Sequence, residues 1–282
     1  MKASGRGYKW LTFLLALVTF IALIVPNSQG SLDPAMVGMF QPDEGVQLVV
    51  LEQMLTAKET PYLTVAKFLA YDYYFYGFPF FGSSALVILA VRALGMATDT
   101  AGTMLVLRQT ISVLPTLLAI LLLVYMQDRF RTWRSPALSL ILIALPAVIT
   151  NGMWWHPDGI VLLLVALTIY FLWRDEQRLG VNFFFAAISC GILTATKLIG
   201  VFFFLAIGLH LLWSVIEKKT AFNQAVQKGL QFIVVMAVAF VMANPFLLSS
   251  WGREQYFDIA SRQALFLDQG YDYVIDAIDS VH

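Results

Sequence analysis

The chain has 282 residues, of which 59% are hydrophobic and only 13% are charged. Soluble domains carry about 25% charged residues, so this composition excludes an ordinary soluble protein and predicts a polytopic membrane protein. The formal net charge is zero, which argues against a nucleic-acid partner, and the single cysteine, Cys190, excludes an internal disulfide.

Eight apolar segments are candidates for membrane-crossing helices, which need about 20 mostly apolar residues. The first segment follows Lys2, Arg6 and Lys9. We interpret it as an uncleaved helix, although a signal peptide would have the same charge pattern. The eight segments are Tyr8–Val25, Phe78–Met96, Thr103–Met126, Pro136–Thr150, Gly159–Trp173, Val181–Thr196, Leu198–Ile216 and Leu230–Leu248.

Basic residues predict the orientation of these segments because cytoplasmic loops are rich in Lys and Arg. They fall in four clusters, at the N-terminus and at 129–134, 174–178 and 218–228. All four clusters lie in the cytoplasm if the chain crosses about seven times, with a cytoplasmic N-terminus and an external C-terminus. Phe78–Met96 then lies along the outer leaflet, within an external loop from Pro26 to Ala101. An arrangement with eight crossings stays open.

The predicted fold class is therefore all-α and polytopic, with a transmembrane core over residues 1–248 and an external tail over 249–282. Inside the external loop, Glu44–Glu59 has apolar and polar residues at helical spacing, which predicts an amphipathic helix on the membrane surface. The aromatic stretch Tyr71–Phe81 is typical of an interfacial belt. A platform on which sugars stack is the other interpretation of this stretch.

Two acidic motifs fall on the external side in this arrangement, and carboxylates near lipid are costly enough to indicate a function. Asp43 and Glu44 follow the first crossing, and Asp158 follows His156 at the head of a later one. Asp43 has the position of a helix N-cap and is a candidate general base toward a hydroxyl; a cap alone is the alternative. Asp158 also has the position of a cap, and with His156 it could hold an acceptor, a phosphate or a metal.

Two basic side chains are predicted on the same external face. Lys197 lies at the outer turn of a helical hairpin, where it either snorkels or neutralises charge on a leaving phosphate. Arg108, near the outer end of its helix, could pair with a carboxylate or bind the same phosphate. The chain has no Walker loop, no dinucleotide-binding glycine motif and no Gly-x-Ser-x-Gly. Nucleotide hydrolysis, dehydrogenase and serine-hydrolase functions therefore have no support.

The order of these features resembles the membrane-embedded GT-C glycosyltransferases, in particular the protein O-mannosyltransferase and aminoarabinose-transferase group. The shared order is one helix, a loop with Pro-Asp-Glu, a surface helix, an aromatic-proline stretch, an Arg-containing crossing, an external Asp and a Thr-Lys. By this resemblance Asp43, with Glu44 beside it, is the catalytic carboxylate. Asp158 matches the second external acidic position, and Lys197 lies near the lipid phosphate.

The resemblance implies transfer of a sugar from a polyprenyl-phosphate donor to a glycan, lipid or protein acceptor on the extracytoplasmic face of the cell membrane. Tyr76, before Gly77-Phe78-Pro79, is implied to contact substrate where the family often has paired prolines. No cofactor is firmly implied, and a divalent cation is compatible with the acidic loops. Such enzymes usually continue further, so the chain is expected to be shortened at its C-terminus. The alternatives are a non-catalytic subunit of a membrane complex and a lipid or solute transporter.

Overall fold

The computed structural model describes residues 4–96 and 99–269, and every regular element in these ranges is helical. Residues 1–3, with Lys2 of the first basic cluster, lie outside the described residues, as do 97–98 of the predicted loop and 270–282 of the predicted tail. The all-α prediction is confirmed for the described part of the chain.

The α-helices are α1 (Ser4–Ala22), α2 (Ile24–Asn27), α3 (Pro34–Phe40), α4 (Pro42–Leu55), α5 (Pro61–Leu69), α6 (Phe78–Ala93), α7 (Thr100–Leu107), α8 (Leu114–Asp128), α9 (Arg134–Ile143), α10 (Pro146–Asn151), α11 (Asp158–Asp175), α12 (Val181–Thr196), α13 (Phe203–Ile216), α14 (Phe222–Ala243) and α15 (Ser250–Gln269). A π-helical turn at Arg108–Val113 joins α7 to α8, and 3-10 helices at Leu198–Phe202 and Pro245–Leu248 lie on either side of α13 and α14.

Within the described residues, four helical segments are long and apolar enough to cross a membrane. They are Arg6–Asn27, Thr100–Asp128, Leu198–Ile216 and Phe222–Ala243, and the shorter helices α6, α9 and α12 are also apolar. Leu209, Ile233 and Val234 are each more than half exposed on these segments. Apolar surface of this extent is typical of a protein in contact with lipid. The number of seven crossings and their orientation stay predictions.

One predicted crossing is divided into two helices. The sequence predicts a single segment over Pro136–Thr150, whereas α9 ends at Ile143 and α10 begins at Pro146. A proline inside a helix removes a backbone N–H and clashes with the preceding turn, but it is well suited to the first position of a new helix. The chain therefore bends at Pro146 and leaves a short helix, α10, beside the start of α11.

The central helices have directions that follow from contacts along their lengths. α8 and α11 run parallel, because Ser112 bonds to the segment just before α11 and Tyr125 contacts Tyr170 further along both helices. α12 runs back along α11, so Lys197 after the end of α12 meets Asp158 at the start of α11. This hairpin brings together two residues that are 39 positions apart in the sequence.

α14 runs parallel to α12 and completes the central bundle. Phe232, midway along α14, packs against Phe183 near the start of α12, and Asn244 after the end of α14 donates a hydrogen bond to the last turn of α12. The bundle therefore has two ends, which we call the Asp158 end and the Arg129 end. The basic groups at 129–134, 174–178 and 218–219 follow helices that finish at the Arg129 end.

α4 packs into the protein more deeply than the predicted surface helix. The expected helix over Glu44–Glu59 is observed as Pro42–Leu55, and residues 56–60 lie outside it. The periodicity predicts an apolar side with Val46, Val49, Val50 and Met54. Val50 and Met54 are buried, but Val46 and Val49 are about half exposed. The buried face also carries Glu44, Gln47, Leu48 and Leu51. The face is rotated because α4 packs on α3 and α6 and because Glu44 has a buried partner.

The aromatic stretch Tyr71–Phe81 contributes to the core at the Asp158 end. Several of its side chains are buried against aromatic residues from distant parts of the chain, and the set is Tyr71, Tyr74, Phe80, Phe81, Trp155 and Phe246. Tilted and edge-on ring contacts of this kind add to the apolar area that each ring buries. The interpretations of this stretch as an interfacial belt or as a sugar platform are wrong for these buried rings.

Candidate functional site

Glu44 and Arg108 form a buried ion pair at the Asp158 end, with side chains that are 0% and 3% exposed. The guanidinium donates two hydrogen bonds to the carboxylate, from Nε to Oε1 at 2.9 Å and from Nη2 to Oε2 at 2.6 Å. Nη1 donates to the carbonyls of Asn27 and Gln29 at 2.8 and 2.9 Å. The backbone N–H of Trp155 donates to Glu44 Oε1 as well. The pair thus joins four separate segments of the chain.

This pairing changes the roles predicted for both residues. Of the two roles considered for Arg108, pairing with a carboxylate is the one observed. Four of its five N–H donors form hydrogen bonds within the protein, so only one N–H remains for a phosphate. Glu44 is fully buried with both oxygens occupied, which removes it from direct contact with substrate. Arg108 also opens the π-helical turn, a local widening of the helix that is common beside functional sites.

Asp158 is the centre of a polar network at the start of α11. It is the first residue of the helix after Pro157, and its side chain makes no capping hydrogen bond, so the predicted cap role is wrong. Oδ1 accepts a hydrogen bond from Lys197 Nζ at 2.8 Å, and Oδ2 lies 3.1 Å from His156 Nδ1. Burial raises the pKa of Asp158, but hydrogen bonds and positive charge from His156 and Lys197 outweigh it and lower the pKa to about 2. Asp158 is therefore an ionised and weakly basic carboxylate.

His156 links Asp158 to Tyr76. The Tyr76 hydroxyl lies 2.8 Å from His156 Nε2, and the imidazole stacks flat on Trp154 with ring centroids 4.1 Å apart. The Nδ1 edge of the ring faces Asp158 and the Nε2 edge faces the Tyr76 hydroxyl, so the imidazole lies between a carboxylate and a phenol. The backbone N–H of His156 donates to the Ser112 hydroxyl at 3.2 Å, which joins the His156 backbone to the π-helical turn before α8.

Asp43 is the second residue of α4 and is exposed to solvent. Gln41 occupies the N-cap position and Pro42 the first turn, so the prediction that Asp43 caps the helix is wrong. Burial raises the pKa of the Tyr76 phenol above its usual range, and the charges of Asp43, Tyr73 and Asp158 raise it further. Both acidic residues therefore lie within electrostatic reach of Tyr76, and Asp43 acts on Tyr73 in the same way.

The position of Tyr76 depends on a close approach between two backbone segments. The Gly77 N–H donates to the Thr196 carbonyl at 3.1 Å, and a Cβ on Gly77 would lie 1.6 Å from the Ala195 carbonyl oxygen. Asn244 Oδ1 accepts from the Phe78 N–H at 2.9 Å. Only glycine fits this approach, and it brings the loop before α6 against the end of α12, beside Lys197.

A cavity of about 690 Å³ opens beside this network and is lined by Tyr76, Lys197 and Tyr256, among others. A second cavity of about 510 Å³ shares Leu198 and Tyr256 with the first and continues between α14 and α15, where its wall is almost entirely apolar. Tyr76 and Lys197 therefore stand at the polar end of a long, largely apolar groove. Asp43 does not line either of these two cavities.

Two residues that hold the site had no predicted role. The sequence indicates Asn244-Pro245 only as a helix break, whereas the Asn244 side chain bonds both Phe78 and Ala195. The signal that could have found it is a buried amide at the end of an otherwise apolar helix. Trp155 is fully buried, with Nε1 donating to the Ser84 hydroxyl at 3.0 Å.

In the described part of the chain, no group of three or more His, Cys, Asp or Glu side chains is arranged to hold a metal ion. Comparison with protein-family models, with curated proteins and with solved structures finds no match for this chain. Function is therefore inferred from the geometry of the site.

Proposed function

We propose that the chain is an inverting membrane glycosyltransferase of the GT-C type, which transfers a sugar from a polyprenyl-phosphate donor to an acceptor on the extracytoplasmic face. The observation that supports this most is the position of Lys197, which contacts Asp158 and borders a cavity that continues into an apolar groove. A polyprenyl phosphate has the same two parts, an anionic head and a long apolar chain.

In this proposal Lys197 binds the donor phosphate. Its ammonium has three donors, of which one is used by Asp158 at 2.8 Å, and its side chain is 37% exposed. An ammonium at this position can stabilise the negative charge that develops on the phosphate as it departs. Asp158 holds Lys197 at the mouth of the cavity, and the Tyr76 hydroxyl contributes a further polar group to the wall.

Asp43 is the proposed general base. Its carboxylate is exposed and forms no ion pair within the described residues, whereas Asp158 is paired with Lys197 and its pKa is lowered to about 2. An acceptor hydroxyl attacks the anomeric carbon as its proton passes to Asp43. The bond between that carbon and the phosphate oxygen breaks, and the electron pair leaves with the phosphate. The configuration at the anomeric carbon is inverted in this single displacement.

The test is transfer by the full chain in vesicles of native membrane lipids, with radiolabelled polyprenyl-phosphate hexoses and pentoses as donors. Asp43→Asn should lower the rate by about 10²- to 10⁴-fold, as expected for loss of a general base. Glu52→Gln, which changes an exposed carboxylate on the same helix, should leave the rate unchanged. Unchanged turnover in Asp43→Asn would remove Asp43 from the mechanism. Failure of the native chain to transfer any of these sugars would contradict the proposal itself.

A further inference from the structure

A separate cavity of about 300 Å³ lies between α8, α10 and α11, and Asp158 lines it together with Thr116 and Asn151. Lys197 lines the larger cavity described above, so each residue of the Asp158–Lys197 pair borders a different cavity. The rest of the wall is apolar and follows α11 from Val161 to Val165. From Asp158 to Val165 the helix rises about 10 Å, so one end of the cavity is polar and the remainder is apolar.

Thr116 has an unusual hydrogen-bonding state for a threonine in this bundle. A helical threonine commonly donates its hydroxyl to the carbonyl four residues earlier. Thr110, Thr168 and Thr194 do so here at 2.7 to 2.8 Å. The Thr116 residue is only 3% exposed, yet its hydroxyl has no hydrogen-bond partner in the described residues. Burying a hydroxyl without a hydrogen-bond partner is unfavourable, and this hydroxyl is free to bond a ligand in the cavity.

The Asp158 carboxylate can also accept further hydrogen bonds in this cavity. Each carboxylate oxygen has two lone pairs; the hydrogen bond from Lys197 uses one of those on Oδ1, and His156 Nδ1 lies 3.1 Å from Oδ2. A ligand that fits this cavity must therefore donate a hydrogen bond to Asp158, meet the Thr116 hydroxyl and place an apolar chain along α11. A membrane amphiphile whose headgroup carries a hydroxyl or an amine has these three properties.

We infer that this cavity binds a membrane amphiphile with a hydroxyl- or amine-bearing headgroup. Its headgroup binds at Asp158, Asn151 and Thr116, and the first part of its chain lies along α11. This amphiphile is distinct from the donor that the proposed function places in the Lys197 cavity, and its binding does not rest on the proposed function.

The experiment uses the full chain in vesicles and two photoreactive probes, an alkyl alcohol and the matching alkane, which carry the same diazirine. The alcohol should label Val161, Leu162 or Val165 several-fold more than the alkane does. Thr116→Val keeps the shape of the side chain and removes the hydroxyl, so it should reduce labelling by the alcohol about two- to tenfold, the value of one net hydrogen bond. Labelling by the alkane should not change.

Ala147→Phe provides a second variant, because Ala147 is exposed at the rim and a phenyl ring there should block both probes. Ala144→Phe is the matched control, an exposed alanine three residues earlier that does not line the cavity. Equal labelling by alcohol and alkane, or no effect of Thr116→Val, would overturn the inference even if sugar transfer is found. Selective labelling without any sugar transfer would leave the binding site standing and contradict the proposed function alone.

Discussion

Replacement of Glu44 with Gln should destabilise the protein strongly while replacement of its neighbour Asp43 should not. The Glu44 carboxylate is fully buried, and its loss leaves the Arg108 guanidinium charged, 3% exposed and without a counter-ion. Removal of one partner of a buried ion pair costs about 3–5 kcal/mol. The upper half of this range is expected because Glu44 also accepts the backbone N–H of Trp155. The equilibrium constant for unfolding should therefore rise about 10³-fold or more.

The measurement is the free energy of unfolding in mixed micelles, followed by tryptophan fluorescence during a titration with denaturing detergent. Asp43→Asn is the matched control, since an exposed carboxylate without packing contacts should change stability by about 0.5 kcal/mol or less. Replacement of both partners, as Glu44→Met with Arg108→Met, should cost less than the two single changes added together, because neither charge is then left buried alone.

The opposite pattern would refute this reasoning. If Glu44→Gln unfolds with the native free energy but no longer transfers sugar, then Glu44 acts on substrate and the ion pair is not what holds α4 in place. If Asp43→Asn destabilises the chain as much as Glu44→Gln does, the assignment of Asp43 to the solvent is wrong.

Two further predictions concern the Asp158 end. The pKa of Asp158 is lowered to about 2, so the stability that its ionised form contributes is complete above pH 3.8, its ordinary pKa, and is lost as the pH falls through about 2. Lys197→Met should raise this pKa toward the ordinary value, and an infrared titration of the carboxyl band measures the change. A carboxyl band that titrates at the same pH in Lys197→Met would contradict the pairing. Gly77→Ala should lower the unfolding free energy by at least about 1–3 kcal/mol, because the added Cβ would lie 1.6 Å from a backbone oxygen. Gly208→Ala is the control: it has open space around it and should stabilise its helix by about 0.5–1 kcal/mol. Similar effects of the two substitutions on the unfolding free energy would contradict the close approach at Gly77.

The helical class was predictable because long apolar segments leave few alternatives to helix. α12 was predicted with the observed bounds, Val181–Thr196. The break at Pro146 was less visible, since apolar residues continue on both sides of it and composition alone does not distinguish a bend from a straight crossing. The rotation of α4 was not predictable from periodicity, because its buried face includes the charged Glu44, and the partner that makes this burial favourable lies 64 residues away.

The residues that belong to the candidate site were easier to predict than the role of each one. Charged residues near apolar helices directed attention to Asp43, Asp158 and Lys197, and the contact of the last two is observed. Helical spacing gives no distance between residues on different helices, so it did not separate a carboxylate that is buried and paired from one that is exposed. For the same reason, the cavities on either side of the Asp158–Lys197 pair have no signature in the sequence.

The proposed binding of a polyprenyl phosphate by Lys197 can be examined by solid-state NMR of the full chain in vesicles. With ¹⁵N-labelled lysine and the lipid phosphate, we predict dipolar coupling between phosphorus and a lysine ammonium about 4 Å away, the separation set by a charge-assisted hydrogen bond of about 2.8 Å. The coupling should vanish in Lys197→Gln. Coupling that persists in Lys197→Gln, or no coupling in the native chain, would contradict the account.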